Sequence, residues 1–103
     1  MAVAHKLNDK VTIAEIYKIK GIIQRSVQNY ILSENYLETS LRLNIEIGNQ
    51  LNRAETYQEL GILYKEMGKL DKSKENFKLA LEFFKKINSE PDIKHLESLL
   101  ASK

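Results

Sequence analysis

The side chains best suited to acid–base or metal chemistry are few and scattered. His5 and His95 are the only histidines and stand ninety residues apart. Neither has a second histidine in helical reach, and each has a single aspartate there, Asp9 four residues after His5 and Asp92 three before His95, whereas a metal site needs several convergent donors. Both read as solvated surface residues, and no metal is expected. The chain has no cysteine, which removes thiolate ligands, disulfides and a cysteine nucleophile. There is no glycine-rich phosphate loop, serine elbow or catalytic carboxylate pair. Glu15 and Glu55 recur at equivalent places, but carboxylates near a helix start are explained by the helix dipole. No catalytic residue and no cofactor are expected, so the chain does not read as an enzyme.

The densest charge run is Lys65, Lys69, Lys72, Lys74, Lys78, Lys85 and Lys86. Glu66, Asp71, Glu75 and Glu82 are interleaved with it at three- and four-residue spacing, which favours ion pairs along a helix over a nucleic-acid or lipid surface. The whole chain carries 16 basic and 14 acidic residues, a net charge of +2, with both signs mixed throughout. Nucleic-acid binding would require the basic residues on one face. No apolar run reaches the roughly 20 residues of a membrane span, and the first residues lack a secretory pattern. The expected location is cytoplasmic. Tyrosines at helical spacing serve packing more often than binding, which assigns Tyr17, Tyr57 and Tyr64 to the interior and leaves Tyr30 and Tyr36 near the first inter-helix turn.

The elements that must position these residues are helices. With one proline and four glycines in 103 residues, the chain has few turn formers, and its apolar residues recur at three- and four-residue spacing. Ile13, Ile16, Tyr17, Ile19 and Ile23 mark one stripe. Leu37, Leu41, Leu43, Ile45 and Ile47 mark the next, followed by Tyr57, Leu60, Leu63, Tyr64 and Met67. Phe77, Leu81, Phe84 and Ile87 form a fourth, and Ile93, Leu96, Leu99 and Leu100 a fifth. Gly48 and Gly68 stand where left-handed residues close helices. Thr12 with Glu15 has capping-box spacing, Asp71 can cap the following helix, and Pro91 fits a first turn.

Displacing the chain against itself by forty residues lays Ala14–Ile22 over Ala54–Ile62 with five identities in nine. Chance would match about one position in fifteen. The same offset pairs Ser33 with Ser73, Leu41 with Leu81 and Ile47 with Ile87, so the repeat is real. It divides the chain into residues 12–49 and 50–89 as two helix pairs and 90–103 as a C-terminal capping helix. Residues 1–11 read as the tail of a preceding repeat helix or an N-terminal extension, because Leu7-Asn8-Asp9 aligns with Ile47-Gly48-Asn49 and Ile87-Asn88-Ser89.

Leu60 with Gly61, Tyr64 three residues later, then Ser73, Phe77 and Ala80, resemble the tetratricopeptide repeat in an extended, forty-residue form. The first repeat departs from it, with Lys20 at the place of Leu60 and Gln24 at that of Tyr64. The resemblance implies an all-α, right-handed superhelical solenoid of antiparallel helix pairs. In it the small residues Gly61, Ser73 and Ala80 let two helices approach while Phe77 fills the space between them.

The resemblance also implies a protein-interaction role. In that family the first helix of each pair lines a concave face, which here places Lys18, Ile22, Arg25, Gln58, Ile62 and Lys65 on the binding surface. Two isoleucines ringed by cations and amides suit a protein or peptide with apolar anchors and some negative charge. The family's carboxylate clamp for chaperone tails wants asparagine where Ile22 and Ile62 stand, so tail binding of that kind is not expected. The expected function is a protein- or peptide-binding scaffold module within a larger protein. The alternatives are a peptide-sensing segment controlling an effector domain, and a structural spacer. A face left uncovered around Ile13, Ile16 and Tyr17 would further allow a homodimer.

Overall fold

The computed structural model describes residues 2–101, with side-chain environments from residue 9 onward. Among the described residues there are five helices and no strand: α1 (Ala2–Ser26), α2 (Tyr30–Ile47), α3 (Gln50–Glu66), α4 (Leu70–Lys86) and α5 (Glu90–Ala101). This is the all-α arrangement of two helix pairs followed by a covering helix.

The last four helices begin twenty residues apart, and every turn is built alike. Gln28, Gly48, Gly68 and Asn88 all adopt positive φ, at 64°, 71°, 78° and 56°. The following residue donates its N–H back across the helix end: Asn29 to the Gln24 carbonyl, Asn49 to Asn44, Lys69 to Tyr64 and Ser89 to Phe84, at 2.8–3.0 Å. That is the Schellman closure, in which one left-handed residue lets two orphan carbonyls be satisfied. Glycine supplies the conformation at two turns, while Gln28 and Asn88 adopt it with a side chain in place.

Two capping expectations are corrected. Thr12 lies inside α1, which passes unbroken through residues 9–12, so Thr12 and Glu15 form no capping box. Asp71 sits within the first turn of α4, whose N-cap position is Lys69; its carboxylate acts through the helix dipole. The cap of α3 is Asn49, whose side chain accepts from the Asn52 N–H at 3.0 Å.

Each helix pair closes around a glycine. A methyl group at Gly21 would lie 2.6 Å from Leu37 Cγ, and one at Gly61 2.5 Å from Phe77 Cδ1. Those distances are well inside van der Waals contact, so the missing side chain is what admits the neighbouring one. At both places a serine completes the crossing: Ser33 Oγ donates to the Gly21 carbonyl and Ser73 Oγ to the Gly61 carbonyl, each at 2.7 Å. Ala54, Tyr57, Phe77, Ala80, Phe83 and Phe84 then join Ile93 and Leu96 of α5 in the main core. A second cluster of Leu37, Leu60, Leu63 and Tyr64 seals α2 against α3.

The first pair is packed differently from what its apolar stripes imply. The buried residues of α2 are Ser33, Leu37, Ser40 and Asn44, while Ile45 is exposed. Helix α1 meets its neighbours through Ala14, Lys18 and Gly21, while Ile13, Ile16, Ile19 and Ile23 face outward.

Candidate protein-interaction surfaces

Helices α1 and α3 lie side by side, joined by ion pairs. Lys18 is buried, and its Nζ donates to Glu55 Oε1 at 2.6 Å while also lying 3.3 Å from Glu15 Oε2. Two turns further along α1, Arg25 meets Glu59 Oε1 at 2.6 Å and Glu66 Oε2 at 3.6 Å. Burial pulls the Lys18 ammonium toward a lower pKa. The hydrogen bond to Glu55 and the charges of Glu55 and Glu15 outweigh it, holding the group above the ordinary lysine value.

These rungs change the character of the surface anticipated from the sequence. Lys18 and Arg25 are committed to the inter-repeat clasp and present little free positive charge. Ile22, Gln58 and Ile62 are half-buried, and Ile62 leans against the main core. The Gln58 Oε1 atom is shielded and accepts no hydrogen bond among the described groups. Lys65, at the repeat position of Arg25, is exposed.

Lys65 also borders a hollow absent from the sequence reading. Lys65 at the end of α3, Leu70, Ser73, Lys74 and Phe77 of α4, and Leu99 and Leu100 of α5 enclose about 270 Å³. Its floor is apolar and two ammonium groups stand at its rim, so it suits an aliphatic or aromatic side chain with a carboxylate nearby. Three separate segments make it, which is why no local motif announces it. The repeat offered one hint, since Leu99 stands where Glu59 answers Arg25, leaving Lys65 without the equivalent carboxylate. On the opposite side of the clasp, Tyr64 donates to Glu34 Oε2 at 2.6 Å. Burial raises the phenol's pKa, and that bond with the charges of Glu34, Glu38 and Glu75 raises it further.

His95 is exposed on α5, and the side chain of His5 lies outside the described residues. Among the described residues no three histidine or acidic groups gather as metal ligands.

The helix-pair repeat, with its glycine-admitted aromatic and its serine at the crossing, is matched by a family model for the tetratricopeptide repeat over residues 12–86. The chain belongs to the tetratricopeptide repeat family. A comparison with curated proteins returned no match. Tetratricopeptide repeats are non-catalytic scaffolds that generally mediate protein–protein interaction. No helix among the described residues is long and apolar enough to cross a membrane.

Proposed function

We propose that the chain is a protein- or peptide-binding module of a larger, cytoplasmic protein, holding its partner along the face formed by α1, α3, the first half of α4 and α5. The observation that carries this reading is the apolar hollow rimmed by Lys65 and Lys74, continuous along α3 with Ile62 and Gln58. Ile22 extends the apolar track onto α1. The favoured partner is an extended or helical segment that sets an apolar side chain into the hollow and a carboxylate against the two lysines. Because Lys18 and Arg25 are neutralised by Glu55, Glu59 and Glu66, the acidic preference is local to the hollow. Residues 12–49 and 50–89 serve as the two binding repeats, 90–103 covers the second, and 1–11 extends the first.

The test is capture of partners by the chain, by an Ile22→Glu/Ile62→Glu variant and by a Lys65→Glu/Lys74→Glu variant, each shown to be helical by circular dichroism. A partner bound by the parent chain and lost by both variants supports the reading. Equal capture by all three, or none, moves the function to a structural spacer.

A peptide-sensing role for the same face has its own support, since polar rungs rather than apolar packing join α1 to α3. A partner that competed for Glu59 or Glu66 would loosen the clasp and open the repeat angle. Small-angle scattering separates the two: an unchanged profile on binding means a passive scaffold.

A further inference from the structure

Helix α1 carries a second apolar face, opposite the one that packs on α2 and α3. Ile13, Ile16, Ile23 and Val27 are between 42% and 66% exposed. With Asp9 and Lys20 they follow one another at spacings of four, three, four, three and four residues. That is the a/d pattern of a coiled-coil seam, with Ile13, Lys20 and Val27 in one register position and Asp9, Ile16 and Ile23 in the other.

The repeat shows what such a face does. Forty residues on, Ile16, Lys20 and Ile23 correspond to Thr56, Leu60 and Leu63, all of them buried. There α3 packs on α2, with Leu60 and Leu63 in the cluster around Leu37 and Thr56 against Asn44. The corresponding stretch of α5 buries Ile93 and Leu96 on α4. The α1 face is therefore shaped to receive a helix.

We infer that a second copy of the chain covers it, α1 against α1 in antiparallel register about a two-fold axis between Ile13 and Ile16. The complementary charges of Asp9 and Lys20 favour this occupant and this register. A parallel pairing sets Lys20 against Lys20 and Asp9 against Asp9. The antiparallel pairing one heptad further along sets Lys20 against Ile16 and Asp9 against Val27, leaving four charges buried and unpaired. In the chosen register Ile13 of each copy meets Ile16 of the other, and Asp9 of each copy meets Lys20 of the other, once on either side of the axis. Lys20 is already held beside the seam, its Nζ 5.8 Å from the Tyr17 ring centre and 5.7 Å from that of Tyr36. The flanking Thr12 and Ile19 add no like-charge contact. A polar residue within an apolar seam fixes register at some expense of strength, so a reversible dimer is expected.

Sedimentation equilibrium on the purified chain tests this, with circular dichroism confirming that each variant keeps its helices. The parent chain should show a monomer–dimer equilibrium, and Ile16→Glu should abolish it. Lys20→Asp, which places two carboxylates together on each side of the axis, should weaken the dimer by about tenfold or more. Adding Asp9→Lys to Lys20→Asp reverses both charges and should restore it. Ile22→Glu/Ile62→Glu, on the opposite side of α1, should leave it unchanged, so a failure here is separable from a failure of the partner-binding face. A chain that stays monomeric up to about 1 mM, or a dimer indifferent to Lys20→Asp, or one not restored by the double exchange, overturns the inference and leaves the seam to a helix of another protein.

Discussion

The two helix pairs share a skeleton and differ in what fills it. Gly21, Ser33 and Leu37 are matched by Gly61, Ser73 and Phe77, down to the same 2.7 Å serine-to-glycine bond. Beyond that crossing the interiors diverge: Ser40 and Asn44 of the first pair stand where the second has Ala80 and Phe84. Ser40 Oγ donates to the Ala14 carbonyl at 2.7 Å, and Asn44 Nδ2 reaches Ser40 Oγ and Thr56 Oγ1 only at 3.3 and 3.4 Å. The second pair draws its cohesion from aromatic burial, which scales with apolar area, and is sealed by α5. The first relies on short polar bonds, a charged clasp and the cluster it shares with α3. A repeat fold can thus keep one backbone geometry with two kinds of interior, and stability should be graded along the chain.

The largest expected effect tests that gradient directly. Phe84 is fully buried, and Phe84→Ala should lower the unfolding free energy by about 3–5 kcal/mol. Asn44→Ala, at the equivalent place, should cost about 1 kcal/mol, because its bonds are long and its Oδ1 has no partner to lose. Urea denaturation of the two variants measures both. Equal losses would mean that the two interiors contribute alike and would remove the contrast.

The next effect probes the shared crossing. Gly61→Ala pushes a methyl group into the Phe77 ring, which is itself buried, and should destabilise by about 1–3 kcal/mol despite alanine's better helix propensity. Gly21→Ala meets Leu37 Cγ and Cδ2 at 2.6 and 2.7 Å and the Ser33 carbonyl oxygen at 3.3 Å; Leu37 is fully buried too, but it has less bulk to displace than a phenyl ring, so the loss should be the smaller of the two. Phe77→Leu, copying the first pair, should make Gly61→Ala less costly, and a double-mutant cycle in denaturant reads that coupling.

Much of this fold was legible in the sequence because its determinants are local or periodic. Apolar spacing located the helices, Gly48 and Gly68 marked two turns, and the offset of forty laid Gly21 and Ser33 over Gly61 and Ser73, whose roles they share in the structure. The interior of α2 was not legible, since Ser40 and Asn44 look like surface residues until the neighbouring carbonyl and hydroxyl are known. The candidate surface was legible only as a set of positions. Lys18 and Arg25 find their carboxylates 37 and 34 residues away, a pairing with no local signature, and the hollow at Lys65 needs three segments brought together.

The charged clasp sharpens the comparison through pH. Lys18 and Tyr64 both have pKa values raised by folding, from ordinary values of 10.5 and 10.0. A raised pKa means that the folded state holds its proton more tightly, so the stabilisation is complete below the unfolded value and is lost as pH rises through the folded one. The contribution of these groups to stability should therefore be constant with pH near neutrality and fall away above about pH 10. Lys18→Met should cost about 1–2 kcal/mol at neutral pH, discounted for the half-exposed Glu55 it leaves behind, and should flatten part of the alkaline fall. Tyr64→Phe should flatten another part. An alkaline profile identical in parent and both variants would show that neither group carries the dependence.

The smallest effect concerns the turns, where Gln28 of the first pair stands at the place of Gly68 in the second. Gly48 and Gly68 occupy the left-handed position without strain, and asparagine tolerates it at Asn88, but Gln28 holds φ 64° with a full side chain. Left-handed backbone costs a residue with a Cβ roughly 1–2 kcal/mol, and glycine regains part of that while losing more entropy on folding. Gln28→Gly should then raise stability by about 0.5–1 kcal/mol. The first pair is the less tightly filled of the two, so the gain should appear as stronger amide-exchange protection in α1 and α2 with little change in α4 and α5. A gain spread evenly over all five helices would mean that the chain opens as one unit rather than pair by pair.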